Sequence, residues 1–136
     1  MPRRILVADD EPLTAEMITL MLAFTGYEVT HALDGAEALT RAREFEPDVV
    51  LLDVMMPGRL GHSVSNELRK DPQFSDTVVV LFSCVDEHDV PWRESGADAF
   101  LQKPISIRDL PRIIEDLRNR KMKERAEPRT TELSTD

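Results

Sequence analysis

The sequence predicts an α/β domain built on a parallel sheet, and two observations support this prediction. Short aliphatic runs alternate along the chain with segments whose apolar residues recur at helical spacing. Four of these runs end in acidic, hydroxyl or amine side chains, at Asp9-Asp10, Asp53, Ser83 and Lys103. Because the carboxyl ends of parallel strands share one edge of the sheet, these side chains are expected to meet there.

The first strand and the first helix follow directly from this pattern. The run from Ile5 to Ala8 is the strand, Glu11-Pro12 opens the helix, and Gly26 ends it. The apolar residues of the helix recur at +4, +7, +8 and +11, which places them on one helical face. The members of that face are Leu13, Met17, Leu20, Met21 and Phe24.

The next elements repeat the alternation. A short second strand spans Tyr27 to His31, and a second helix starts at Asp34-Gly35. The apolar residues of this helix are Ala38, Leu39, Ala42 and Phe45. A third strand covers Val49 to Leu52, and a loop with Pro57-Gly58 and Gly61 leads to a third helix. The apolar residues of the third helix are Val64 and Leu68.

The second half of the chain gives two more strands. Val78 to Phe82 is an unbroken apolar run, as expected for a strand that helices cover on both faces. The following stretch contains Pro91, and proline breaks a helix interior. The fourth helix is therefore expected either to be short, starting near Asp89 or Pro91, or to be partly irregular. Ala99 to Gln102 is the fifth strand. The last helix shows Leu110, Ile113, Ile114 and Leu117.

The chain is long enough for one domain and no more. Its 136 residues are 41% hydrophobic and 5% aromatic, which suits a single aliphatic core. The apolar stripe of the last helix fades after Leu117. We therefore expect residues 1–120 to form the domain, and residues 121–136 to form a charged helix extension followed by a disordered tail.

Charge and cysteine content limit the environment and the partners. The formal net charge of −9 argues against nucleic acid or an anionic membrane as a direct partner. No apolar stretch approaches the roughly 20 residues that span a bilayer. The single cysteine, Cys84, excludes an internal disulfide and is expected to be a small buried residue. The sequence thus predicts a soluble, cytoplasmic protein.

The acidic side chains at the predicted sheet edge suit a small divalent cation. Mg²⁺ takes oxygen ligands, commonly one or two carboxylates together with waters and phosphate oxygens. Without a cation, two carboxylates about 4 Å apart repel by roughly 4 kcal/mol at an effective dielectric near 20. A carboxylate held there can itself accept a phosphoryl group as an acyl phosphate. Lys103 and Ser83 are suited to contact phosphoryl oxygens.

Four motifs in this order resemble the receiver domain of two-component response regulators. They are Asp9-Asp10-Glu11-Pro12, the segment from Leu52 to Gly58, Ser83, and Lys103-Pro104. There are 43 residues from Asp10 to Asp53, 30 from Asp53 to Ser83, and 20 from Ser83 to Lys103. The resemblance covers about Arg3 to Leu117. It implies a flavodoxin-like (βα)5 three-layer sandwich with strand order 2-1-3-4-5, and a Lys103-Pro104 bond that is usually cis.

The resemblance also implies a role for each site residue. Asp53 is the expected phosphoacceptor, and Ser83 and Lys103 are expected to hold the phosphoryl oxygens. Phe100 matches the aromatic residue that moves inward with Ser83 on activation. The expected Mg²⁺ ligands are Asp10, Asp53 and the backbone carbonyl of Met55, with Asp9 helping through water.

The expected function is that of a stand-alone receiver, which binds an output protein not identified by the sequence. It takes its phosphoryl group from a sensor histidine kinase or a phosphotransfer protein, and it is expected to be a monomer or a weak dimer. It is expected to catalyse only its own phosphorylation and dephosphorylation. The dephosphorylation is expected to be slow, because Met55 and Val85 are apolar and cannot orient a water. Two alternatives remain open: a receiver fragment of a larger regulator, and a Mg²⁺-dependent phosphotransferase or phosphatase acting on small molecules.

Overall fold

A computed structural model of the chain describes residues 3–126. Within them, five strands alternate with four α-helices and two short 3-10 segments. The strands are β1 (Arg4–Ala8), β2 (Glu28–Ala32), β3 (Val49–Asp53), β4 (Val78–Ser83) and β5 (Ala99–Gln102). The helices are α1 (Pro12–Phe24), α2 (Gly35–Phe45), α3 (Gly61–Arg69) and α4 (Leu110–Ala126), and the 3-10 segments are Pro72–Phe74 and Glu87–Asp89.

The sheet is parallel and has the order β2-β1-β3-β4-β5, which confirms the predicted topology. The register pairs Ala8 with Leu52, and it pairs Ser83 with Gln102. The residues that end β1, β3, β4 and β5 therefore lie at the same edge of the sheet. The strand order reverses between β1 and β3, and a parallel α/β sheet opens its binding crevice at that point.

Helices cover both faces of the sheet and create two apolar layers. The layer on one face joins α2 and α3 to the sheet, and the layer on the other face joins α1 and α4 to it. All residues of β3 and β4 are buried, as the unbroken aliphatic runs predict. Burying large aliphatic side chains contributes roughly 1.5–3 kcal/mol each, so these two central strands contribute strongly to the stability of the domain.

Helix α1 packs on the sheet through a different apolar face from the one that predicts the helix. The buried residues are Ala15, Ile18 and Leu22. Four residues of the face from which the sequence predicts the helix lie exposed instead: Leu13, Met17, Leu20 and Phe24. Both sets recur at helical spacing, so periodicity alone does not decide which set meets the sheet. The connection between β1 and α1 is only three residues long, and it fixes the rotation of the helix.

An irregular segment replaces an α-helix between β4 and β5, which confirms the irregular form of the predicted fourth helix. It contains the 3-10 segment Glu87–Asp89 and a series of turns that ends at Gly96. The side chain of Arg69 on α3 holds the end of the segment. Its Nε donates to the carbonyl of Gly96 at 2.8 Å, and its Nη2 donates to Asp98 at 2.8 Å.

The last helix continues past residue 120 as far as Ala126. Its charged end contacts the rest of the domain through Lys121, which binds Asp98 at 2.9 Å, and through Arg125, which binds Asp76 at 2.7 Å. The tail predicted to be disordered falls within residues 127–136, which lie outside the described residues. None of the helices described is both long enough and apolar enough to span a membrane.

Candidate functional site

Three carboxylates meet at the carboxyl edge of the sheet, where the sequence predicts them. Asp9 and Asp10 follow β1, and Asp53 ends β3. One oxygen from each of the three lies within 4.8 Å of the others. Asp9 is fully buried and Asp53 is 5% exposed, whereas Asp10 faces solvent. The cluster is therefore open to solvent on the side of Asp10.

The two buried carboxylates are fixed by short backbone contacts. The backbone N–H of Glu11 donates to Oδ1 of Asp9 at 2.9 Å, just before α1 begins at Pro12. The backbone N–H of Met55 donates to Oδ1 of Asp53 at 3.2 Å. Each carboxylate thus uses one oxygen to hold its own loop. The Oδ2 oxygens remain for a cation or an incoming group.

Lys103 supplies positive charge to both of these oxygens. Its Nζ lies 3.1 Å from Oδ2 of Asp53 and 3.3 Å from Oδ2 of Asp9. It also lies 5.0 Å from the centre of the Phe82 ring, a cation–π contact that further confines the ammonium group. The backbone N–H of Lys103 donates to the carbonyl of Ser83 at 2.8 Å, and the Lys103-Pro104 bond is cis, as the resemblance implies.

The charges of the site are strongly coupled. Burial raises the pKa of Asp53, the negative charge of Asp9 raises it further, and Lys103 opposes both effects without cancelling them. Burial lowers the pKa of Lys103, but attraction to Asp53 and Asp9 outweighs this effect and leaves the pKa raised. The ammonium group therefore stays protonated. A single lysine does not balance the three carboxylates, so the site favours an additional cation.

Ser83 and Phe100 lie farther along the same edge. Ser83 is 1% exposed, and its Oγ accepts a hydrogen bond from the backbone N–H of Val85 at 3.1 Å. Phe100 is half-buried on β5, where it pairs in register with Leu81. Its ring centre lies 6.4 Å from that of Trp92 in the irregular segment. The two expected switch residues thus occupy neighbouring strands.

Two of the side chains near the cluster are notable for their exposure. Met55 is 55% exposed two residues after Asp53. Cys84 is also exposed, so the expectation of a buried cysteine is wrong. Strand β4 ends at Ser83, and the chain bends there, so the inward-facing position goes to Ser83 and Cys84 turns out to solvent.

Two residues that shape the site escape sequence reasoning. The side chain of Gln102 donates to the carbonyls of Ser83, Cys84 and Val85 at 2.9–3.2 Å and so holds the loop after β4. Gly61, at the start of α3, lies directly against the carbonyl of Asp53, where an added Cβ would overlap the carbonyl oxygen. The position of Gln102 at the end of β5 is the one available signal for its role. The sequence marks Gly61 only as a glycine of the loop after β3, whereas the structure places it at the first position of α3.

Comparisons with known proteins agree with this geometry. Residues 5–115 match the family model of the response regulator receiver domain. The chain is 43% identical over 111 residues to the DNA-binding response regulator MtrA of Mycolicibacterium smegmatis, a match that covers 81% of this chain and 48% of MtrA. It is 39% identical over 132 residues to the response regulator PleD of Caulobacter vibrioides, covering 88% of this chain and 29% of PleD.

A similar solved structure has nearly the same extent as this domain. It is a CheY-like receiver domain protein from Methanospirillum hungatei, with a TM-score of 0.83 and 26% sequence identity. The match covers 91% of this chain and 99% of that one. By contrast, the chain spans about half of MtrA and less than a third of PleD. From the family match over residues 5–115, the parallel sheet and its acidic edge, we conclude that the chain belongs to the response regulator receiver family of two-component signalling.

Proposed function

We propose that Asp53 accepts a phosphoryl group from a phosphohistidine of a sensor kinase or a phosphotransfer protein. The observation that supports this role is the contact of Oδ2 of Asp53 with Lys103 at 3.1 Å, beside two further carboxylates. A phosphoryl group that arrives at this oxygen meets a cation already in place. Asp9 contacts the same lysine at 3.3 Å but is fully buried, whereas Asp53 is 5% exposed and can be reached by a phosphodonor.

The transfer requires one bond to form and one to break. A carboxylate oxygen of Asp53 bonds to phosphorus as the phosphorus–nitrogen bond of the phosphohistidine breaks, and the bonding electron pair stays on the imidazole nitrogen. Burial and the charge of Asp9 disfavour the negative charge of Asp53 and raise its pKa, so the site gains when a cation joins it. Lys103 then holds a phosphoryl oxygen.

The donor set of the site fits Mg²⁺. We assign direct contact to Asp10, Asp53 and the backbone carbonyl of Met55, and a contact through water to Asp9. When bound, Mg²⁺ neutralises the charge of the phosphoryl group during transfer. The closeness of the three carboxylates supports this assignment, because hard oxygen ligands within 4.8 Å of one another are what a small divalent cation prefers.

Ser83 and Phe100 form the proposed switch. The Oγ of Ser83 already accepts from Val85, which leaves its hydroxyl hydrogen available to a phosphoryl oxygen. A shift of Ser83 toward Asp53 pulls the loop that Gln102 holds, and Phe100 lies two residues before Gln102 on β5. The surface around β5 changes as a result. We propose that an output protein binds this changed surface.

Slow loss of the phosphoryl group follows from two apolar side chains. Met55 lies two residues after Asp53, and Val85 lies two residues after Ser83. Neither side chain can orient an attacking water by hydrogen bonding. The Met55→Asn/Val85→Glu variant is expected to lose phosphate faster than the natural chain. An unchanged rate of phosphate release, measured after removal of the donor, would contradict this reasoning.

The phosphoacceptor role is tested with acetyl phosphate and Mg²⁺, followed by intact-mass measurement. The natural chain is expected to gain one acid-labile phosphoryl group, and the Asp53→Asn variant none. Asp116→Asn, at an exposed position on α4, is the matched control and is expected to react normally. Modification of Asp53→Asn at the normal rate would refute the assignment.

We further propose that the chain acts as a stand-alone receiver in the cytoplasm, where kinases use ATP and its single thiol stays reduced. The extent of the receiver from Methanospirillum hungatei, almost all of which is matched, supports this. The second candidate is the receiver part of a longer regulator, which the partial coverage of MtrA and PleD favours. Detection of the chain in its native cell with an antibody decides between them by the size of the band.

A further inference from the structure

Helix α1 presents an apolar face to solvent that the phosphoacceptor site does not use. The exposed fractions are 63% for Leu13, 50% for Met17, 61% for Leu20 and 92% for Phe24. At about 100° per residue, the four side chains lie within about 60° of one another around the helix. The buried Ala15, Ile18 and Leu22 lie on the opposite side. We refer to Leu13, Met17, Leu20 and Phe24 as the outer face of α1.

The area of the outer face lies in the upper part of the range that monomers expose. With roughly 200 Å² for a fully exposed side chain of this size, the exposed fractions amount to roughly 500 Å². The largest apolar patch on a typical monomer is about 300–600 Å², and such a patch is often functional. Two such faces pressed together bury roughly 1,000 Å², which is the lower limit for a specific interface.

The spacing of the outer face is symmetric along the helix. Its residues are separated by 4, 3 and 4 positions, the repeat with which one helix packs against another. The same series results when the helix is reversed. In an antiparallel pair, Leu13 of one copy therefore meets Phe24 of the other, and Met17 meets Leu20. An interface that matches itself under a two-fold axis is the usual basis of a homodimer.

The charge distribution favours pairing and selects the antiparallel direction. The chain has a net charge of −9, yet Glu16 is the single charged residue in the 13 residues of α1. In a parallel pair, the carboxylate clusters of the two copies would meet, because each cluster lies at the N-terminal end of its α1 helix. Antiparallel pairing separates them by about the 20 Å length of the helix and aligns the helix dipoles favourably.

We propose that α1 is a homodimer interface, in which two copies of this chain pair antiparallel through their outer faces. The small area predicts a weak dimer that forms with rising concentration. Met17 also lines a cavity of 220 Å³ beside Lys103 and Phe82, next to the phosphoacceptor. The proposed interface therefore lies beside the lysine that contacts Asp53, and self-association is expected to compete with docking of a protein phosphodonor.

Sedimentation equilibrium over a micromolar to millimolar series tests the dimer. The average mass of the natural chain is expected to rise toward twice the monomer mass, and the Leu20→Glu and Phe24→Glu variants are expected to stay monomeric. Met122→Glu is the matched control, because Met122 is also a large apolar residue, 57% exposed, but lies on α4. Urea unfolding checks that each variant folds. A constant monomer mass for the natural chain, or equal loss of dimer in Met122→Glu, would overturn the proposal.

Disulfide trapping tests the direction of pairing. In a Cys84→Ser background, Leu13→Cys copies and Phe24→Cys copies are expected to cross-link only when they are mixed. Cross-linking within Leu13→Cys alone would show parallel pairing and overturn the antiparallel arrangement. A second combination of results would also overturn the dimer. In it, the natural chain stays monomeric, and the Leu20→Glu variant no longer accepts a phosphoryl group from a phosphohistidine protein but still reacts with acetyl phosphate. The outer face would then belong to the phosphodonor.

Discussion

Replacing Lys103 by Met removes the cation that contacts both buried carboxylates in the described part of the chain. The Nζ atom lies 3.1 Å from Asp53 and 3.3 Å from Asp9. At an effective dielectric near 20, each contact corresponds to roughly 5 kcal/mol of Coulomb attraction. Met keeps most of the apolar stem against Phe82. The substitution therefore changes the charge of the site more than its packing.

The measured loss of stability is expected to be smaller than the Coulomb attraction. Removing one partner of a buried ion pair usually costs about 3–5 kcal/mol, and here protonation of an orphaned carboxyl limits the cost. Burial and Asp9 already raise the pKa of Asp53, and loss of Lys103 raises it further. We expect a loss of about 3 kcal/mol at neutral pH. The loss should shrink as the pH falls through the raised pKa and the carboxyl becomes neutral.

Urea unfolding in EDTA and in Mg²⁺ provides the assay. Mg²⁺ is expected to reduce the loss in Lys103→Met, because the bound cation replaces part of the missing charge. Lys70→Met is the control, because Lys70, directly after α3, pairs with Glu67 at 3.4 Å in an exposed contact that contributes about 0.5 kcal/mol or less. Equal urea midpoints for Lys103→Met and the natural chain in EDTA would refute the reasoning. A loss that Mg²⁺ leaves unchanged would also refute it.

Three further predictions concern other parts of the site and its support. The pKa of Asp53 is higher in the folded than in the unfolded protein, so Asp53 contributes stability below its unfolded pKa, and this stability is lost as the pH rises through the folded pKa. Asp53→Asn should therefore raise the urea midpoint at neutral pH and change it little in acid. A lower midpoint at neutral pH would contradict this prediction. Gly61→Ala should cost about 1–3 kcal/mol, because the added methyl overlaps the carbonyl of Asp53, whereas Ser63→Ala at an exposed helix position should be neutral in thermal unfolding. Arg69→Met should cost about 2–3 kcal/mol, since a charged donor to three acceptors is lost. Hydrogen exchange should then increase in residues 84–98 before it increases in β1, and a uniform increase would argue against the local role of Arg69.

The sheet and the location of the site follow from the sequence, because strands and helices leave different patterns of apolar residues. A buried parallel strand needs a short aliphatic run and a helix needs spaced apolar residues, so the order of elements is readable directly. Parallel strands then bring their ends together without further information. Asp9, Asp53 and Lys103 meet for this reason, although they lie far apart in the chain.

Features that depend on long-range packing do not follow from the sequence. Helix α1 has two apolar faces, and the short connection from β1 rather than hydrophobicity selects Ile18 and Leu22 for the core. Arg69 holds a segment nearly thirty residues away, and no local pattern marks a side chain for such a contact. The exposure of Cys84 depends on one bend after β4. Each of these features is set by neighbours distant in sequence.

The irregular segment between β4 and β5 has a practical consequence for protein engineering. Its backbone does not depend on repeating helical bonds, and Pro91, Arg93 and Glu94 lie exposed at its tip. Added residues at such a tip disturb little of the core. One end of the segment joins Ser83 and the other leads to Phe100, so a fluorescent group inserted at the tip would be connected through the backbone to both residues. If Ser83 and Phe100 move as proposed, the fluorescence of that group would report phosphorylation of the domain.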